Sequence, residues 1–264
     1  MTRDDLLAAA TEAARADPRV LAFFLTGSLA TGEGDPYSDI DTVMVVAPGD
    51  LPDMVDDARA WVEALTELVL WKQVHPPYPL FHAITPEWLR FDITITAPDR
   101  LGLSRDRTRP LLDRAGIYEA LPPHPPTKPL KPEAVGRIVE EFLRILALAP
   151  VPLARRDYVA AVTGAGLLRG LLIELMVAEQ NPVVPPGAKS LSRVLPPEDI
   201  ALLEGLPSPA AAREASLAAN LALAEAFLPR ARRLAERSGL SWPHRLETAC
   251  RDHLRRELGL EISA

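Results

Sequence analysis

Cysteine is nearly missing from this 264-residue chain, where Cys250 stands alone. One thiol closes no internal disulfide, so the fold must rest on its apolar core, as in a reducing compartment. On a C-terminal helix, Cys250 is expected to be a small buried apolar residue. Long hydrophobic runs are missing too. No stretch reaches the roughly eighteen uncharged apolar residues that a membrane helix requires. The opening Met1-Thr2-Arg3-Asp4-Asp5 is no signal peptide, so the expected location is the cytoplasm. Nor is there a basic excess: 29 Lys and Arg stand against 36 Asp and Glu, and the net charge is −7. The arginines are scattered among acids, which argues against a surface that tracks a nucleic-acid backbone and suits a small cationic partner. Neither Gly-x4-Gly-Lys-Ser/Thr nor His-Glu-x-x-His occurs. Gly164-Ala165-Gly166-Leu167-Leu168-Arg169-Gly170 misses the dinucleotide fingerprint by a residue and lies in a helical pattern, so it reads as packing.

What is present is enough for a sizeable core: 48% of residues are hydrophobic, and the length suits one large or two ordinary domains. Thr2 is a plausible N-cap for a first helix, with Leu6, Leu7, Ala10 and Ala14 at helical spacing and Pro18 beyond its end. Val20 to Leu25 is a continuous apolar run of the kind a central strand shows. Leu51 to Leu68 reads as a helix with Met54, Val55, Ala58, Val62 and Leu65 on one face. Three strands are expected at Leu68 to Val74, Pro79 to Thr85 and Leu89 to Ala97, the last two joined by the turn Thr85-Pro86-Glu87-Trp88, with a further short one at Arg109 to Leu112. The run Leu121-Pro122-Pro123-His124-Pro125-Pro126-Thr127-Lys128-Pro129-Leu130-Lys131-Pro132 can be neither helix nor central strand and reads as a connector. Beyond it, helices are expected at Glu133 to Ala149, Asp157 to Glu179, Ala210 to Ser238 with Pro229 kinking or dividing it, and from Trp242-Pro243 to about Leu258. The segment Asp157 to Glu179 is apolar nearly all round, as befits the centre of a bundle. The expected organisation is a domain over residues 1–121, a Pro-rich linker over 122–132 and a helical domain over 133–264.

The most informative stretch is Phe23-Phe24-Leu25-Thr26-Gly27-Ser28, a loop containing Pro36-Tyr37-Ser38, and Asp39-Ile40-Asp41-Thr42-Val43-Met44. A strand ends at Gly27-Ser28, where backbone N–H groups and a hydroxyl can face an anion such as phosphate. A second strand then opens with two carboxylates. Alternation along a strand points Asp39 and Asp41 the same way and sends Ile40 to the core. Paired hard oxygen ligands without a nearby His or Cys favour Mg²⁺ or Mn²⁺ over zinc.

This stretch resembles the pattern of the nucleotidyltransferase superfamily, and within it the antibiotic (aminoglycoside) adenylyltransferases: Gly-Ser, a short gap, then Asp-x-Asp. The third carboxylate that such families need is matched by Asp92 in Leu89-Arg90-Phe91-Asp92-Ile93-Thr94. The expected fold is α+β, a mixed sheet with helices on one side followed by a helical bundle. The resemblance implies transfer of a nucleoside monophosphate, expected to be AMP from ATP, to a hydroxyl of an aminoglycoside-type acceptor with release of pyrophosphate. Asp39 and Asp41 would hold magnesium, Gly27 and Ser28 the outer phosphates, and Asp92 would ligate a metal or take the proton of the attacking hydroxyl. Lys189, in Pro186-Gly187-Ala188-Lys189-Ser190-Leu191, is the candidate phosphate-binding amine of the helical half. Relatives often carry an Arg soon after Gly-Ser, where this chain has Leu29-Ala30-Thr31.

Other residues have two readings. Thr163, Gly166, Gly170 and Glu174 recur at helical spacing, so Glu174 is either a substrate-facing acid or the partner of Arg169 or Arg144. Arg155-Arg156-Asp157 either binds phosphate or places Asp157 as an N-cap. Glu140 and Glu141 read as a solvated helix face, and His75 and His82 as strand-surface or satisfied core residues. The runner-up functions are a nucleotide sensor of the same fold without turnover and nucleotidylation of a protein acceptor.

Overall fold

The first helix shows how local chemistry sets its start: the Thr2 hydroxyl accepts from Asp5 N–H while the Asp5 carboxylate accepts from Thr2 N–H, a complete capping box for α1 (Arg3–Ala16). The computed structural model describes residues 1–74, 79–126, 129–182 and 191–262, and the chain divides into two units, Met1–Pro126 and Thr127–Ala264.

In the first unit, α1 is followed by β1 (Val20–Thr26), a short α2 (Gly27–Thr31), β2 (Ile40–Val46) and α3 (Leu51–Glu63). Then come β3 (Leu70–Val74), β4 (Leu80–Ile84), β5 (Arg90–Thr96), β6 (Arg109–Asp113) and α4 (Ile117–Ala120). The six strands form one sheet in the order β3-β4-β5-β2-β1-β6. It is mixed: β2 and β5 run parallel, and the remaining neighbours are antiparallel. A parallel pair needs a crossover, which α3 and the β3–β4 hairpin supply.

One face of the sheet carries Phe23, Leu25, Ile40, Met44, Phe91, Ile93 and Ile95, and α1 and α3 lie on it through Leu6, Ala10, Ala14, Met54, Ala58 and Val62. The two long helices α1 and α3 thus sit on one side of the sheet, and the short α4 lies on the other. The other face has a smaller apolar cluster, Phe24, Val43 and Val45 under Leu101, Leu103, Ile117 and Tyr118. That cover lies over β1 and β2. Along β5, Phe91, Ile93 and Ile95 are buried, and Arg90, Asp92, Thr94 and Thr96 alternate with them on the more open face.

The second unit is helical: α5 (Pro132–Ala147), α6 (Pro150–Ala154), α7 (Tyr158–Gln180), α8 (Pro197–Gly205), α9 (Arg213–Ser238) and α10 (His244–Leu258). The helix α7 packs against α5, α6 and α9. By length and composition α7 could cross a membrane, although Arg169 and Glu174 interrupt its apolar run. Phe142 of α5 and Phe227 of α9 stack with ring centroids 3.6 Å apart. Pro229 lies inside α9, which runs through it as a single helix rather than dividing there. The short α6 and α8 were not expected; each opens on prolines at its first positions, where a missing N–H is tolerated. Cys250 is 3% exposed and hydrogen-bonds the Leu143 carbonyl, and burial pushes its thiol up to about 11.

Candidate active site

The site grows from the turn after β1. Gly27 has φ +66°, and a Cβ on it would lie 2.1 Å from Oδ2 of Asp41. Any side chain there would be strained and would displace that carboxylate, so the glycine is what lets Asp41 lie against the turn. The loop before β2 holds itself in shape. Asp35 Oδ1 accepts from Tyr37 N–H at 2.8 Å, and Ser38 Oγ accepts from Asp35 N–H at 3.0 Å. Ser38 Oγ is also 3.0 Å from Ser28 Oγ, so the hydroxyl of the first turn is tied to the loop that presents Asp39.

Strand register assembles the rest. Thr26 of β1 is opposite Asp41 of β2, Asp41 is beside Asp92 of β5, Asp92 is opposite His82 of β4, and His82 is opposite Lys72 of β3. Paired residues on neighbouring strands share a face, so these five side chains form one row across the sheet. Within it, His82 Nδ1 is 2.7 Å from Asp92 Oδ1, with the side chains 38% and 20% exposed. One step along β5, Arg90 lies 3.3 Å from Asp39 Oδ2 and also donates to the Tyr37 carbonyl.

The structure therefore brings Gly27, Ser28, Asp39, Asp41 and Asp92 to one end of adjacent strands, but not as a ready-made metal cage. Among the described residues no group of three or more His, Cys, Asp or Glu side chains is arranged to hold a metal ion. Asp39 is turned to Arg90 and Asp92 to His82. The donor chemistry nonetheless fits a hard divalent cation: carboxylates at neighbouring register positions on β2 and β5, one of them seated over a glycine.

Other candidates lie elsewhere. Glu174 pairs with Arg137, not with either of the arginines expected: Arg169 donates to the Leu203 carbonyl at 2.8 Å, and Arg144 pairs with Glu141. Among the described residues, a Cβ at Gly164, Gly166 or Gly170 would meet nothing within 4 Å, so these glycines are not packing contacts. Asp157 accepts from Ala160 N–H at 3.1 Å as the N-cap of α7. Glu140 is exposed, and Glu141 is bound to Arg144. Lys189 and His75 fall outside the described residues.

His82, expected as a strand-surface or satisfied core residue, lies on the surface of β4, but its place beside Asp92, and that of Arg90 beside Asp39, escaped the reading of the sequence. A signal existed. In β4 the buried residues are Phe81 and Ala83, which puts His82 on the opposite face, and a hairpin closed over residues 85–89 sets His82 across from Asp92. Arg90 shares the face of Asp92 by simple alternation.

Comparison with known families finds a partial match. Residues 8–78 match the family described as the nucleotidyltransferase domain. That segment of the first unit is similar to a nucleotidyltransferase domain. The match takes in Gly27, Ser28, Asp39 and Asp41, while His82, Arg90 and Asp92 lie beyond its end. Among solved structures, the chain is similar to an aminoglycoside 6-adenyltransferase from Bacillus subtilis, at 12% identity over 96% of this chain and 98% of that one, with a TM-score of 0.45. It is also similar to a nucleotidyltransferase-like protein from Exiguobacterium sibiricum 255-15, at 14% identity over 97% and 88%, with a TM-score of 0.41. No curated protein matches the sequence.

Proposed function

We propose that this protein transfers a nucleoside monophosphate, AMP from ATP, to a hydroxyl of a small acceptor and releases pyrophosphate. The observation that carries the reading is the registered pair Asp41 and Asp92, with Asp41 lying against the Gly27 turn inside the segment that matches the nucleotidyltransferase family. Asp39, Asp41 and Asp92 would hold a divalent ion, Mg²⁺ or Mn²⁺, which supplies neutralisation of charge on the leaving phosphates. The amides of Gly27 and Ser28 and the Ser28 hydroxyl, held by Ser38, would seat the outer phosphates. Lys189 is the candidate for a further phosphate contact. An alcohol is a poor nucleophile at neutral pH, so the acceptor needs a base at its hydroxyl, and Asp92 would take that proton. A cationic, polyhydroxylated acceptor of aminoglycoside type suits the net charge of −7. Such chemistry belongs in the cytoplasm, where ATP is plentiful. Glu174, bound to Arg137, could meet an acceptor only by exchanging that partner.

The test is pyrophosphate release from ATP and Mg²⁺ across a panel of aminoglycosides and other hydroxylated antibiotics. Turnover with one of them is the expected result. ATP binding without turnover across the panel would instead identify a nucleotide sensor, and labelling of a protein by radioactive ATP would identify a macromolecular acceptor.

A further inference from the structure

We infer that His82 is a positioning residue for Asp92, setting the orientation in which that carboxylate meets the acceptor hydroxyl; the inference rests on the nucleotidyltransfer reading above. A carboxylate only accepts hydrogen bonds, so in the 2.7 Å contact the Nδ1–H of His82 donates to Asp92 Oδ1. A bond from a rigid ring to one oxygen fixes the carboxylate plane, and with it the direction in which the other oxygen is offered. The strand that carries the ring is itself held. Phe81 and Ala83 on either side are 4% and 1% exposed, and Phe81 stacks on Trp71 of β3 with ring centroids 4.9 Å apart and planes 15° from parallel. The inward-facing neighbours thus lock β4, and His82 has no alternative face to occupy. Asp39 is restrained in a parallel way by Arg90 at 3.3 Å, but by a flexible side chain that also binds the Tyr37 carbonyl. Oriented carboxylates lose less freedom when they engage a reacting group, and removal of such supporting partners typically costs about 10- to 100-fold in activity or metal affinity.

The experiment compares His82→Ala and His82→Asn, the latter placing an amide N–H near the position of Nδ1. With ATP, Mg²⁺ and the acceptor found in the panel, His82→Ala should lower kcat by about 10- to 100-fold while KM for ATP changes less than about twofold, and His82→Asn should recover most of the loss. In parallel, the hydrogen-bonded Nδ1 resonance of His82, assigned among five histidines by its absence in His82→Asn, should shift in Asp92→Asn. Wild-type kcat in His82→Ala, equal damage in both His82 variants, or an unmoved imidazole resonance would overturn the assignment while leaving nucleotidyltransfer intact. A wild-type protein that turns over nothing, with Mn²⁺·ATP binding (followed by the electron paramagnetic resonance of the free ion) unaltered by Asp41→Asn, would overturn both.

Discussion

In the sheet unit, Asp39, Asp41 and Asp92 stand near one another at the ends of β2 and β5, partly exposed, with Asp39 paired to Arg90 and Asp92 to His82. In the helical unit, Glu247 is 4% exposed and takes hydrogen bonds from Trp242 Nε1 at 2.7 Å, from Arg232 at 2.8 Å and from Arg251 at 2.8 and 2.9 Å. Asp199, 2% exposed, is likewise bound to Arg230, which also reaches Glu179. The difference is in how the charge is used. A carboxylate surrounded by donors has no capacity left for a ligand and acts as a fastener between α9 and α10. Carboxylates that stay partly exposed at a strand end keep the capacity to exchange a partner for a cation.

That contrast can be tested from both sides. The largest effect is expected from Asp41→Asn, which preserves shape over Gly27 and removes charge. Pyrophosphate release should fall roughly 100-fold or more with the melting temperature nearly unchanged, measured by coupled assay and calorimetry. Undiminished turnover would remove Asp41 from the chemistry and erase the distinction between the two units.

Glu247→Ala should do the reverse. It should cost about 2–3 kcal/mol in denaturant unfolding, at the lower end for a broken buried pair because Arg232 and Arg251 can regain water, and Mn²⁺·ATP binding by the folded protein should persist. The pH dependence has a defined sign. Burial pushes the Glu247 carboxyl up, but the hydrogen bonds from Trp242 and Arg251 and the charges of Arg232 and Arg251 more than offset it, so its folded value lies below the usual 4.5. A depressed folded value means the stabilisation is fully present above about pH 4.5 and is lost as pH falls through the folded value. Melting curves of the native protein should therefore drop more steeply below that pH than those of Glu247→Gln. Parallel curves would show that Glu247 fastens nothing.

The smallest effect is expected from Thr2→Ala, which removes one half of the α1 capping box. A loss of about 1 kcal/mol on unfolding, with turnover retained, is the expected outcome. A large loss of turnover would mean that the start of α1 belongs to the site.

Much of this fold is written in short-range pattern. The capping of α1 by Thr2, the buried Met54, Ala58 and Val62 face of α3, the period-two burial of β5 and the all-round apolar α7 follow from spacing alone. Gly27-Ser28 and Asp39-x-Asp41 are legible for the same reason, since each is a local motif. The misses share a different cause. Proline within α9 and the proline-led turns of α6 and α8 are governed by burial against neighbouring helices, which outweighs local preference.

The amino-acid order by itself determined which residues face inward on each strand and helix, because side-chain direction repeats every two or every 3.6 residues whatever the surroundings. Only the tertiary structure decided that His82 meets Asp92 at 2.7 Å, that Arg90 turns to Asp39, and that Asp41 rests over Gly27. Those contacts depend on the register and order of strands joined through long stretches of chain. Strand order is chosen by how the whole sheet buries its two faces, not by any one segment.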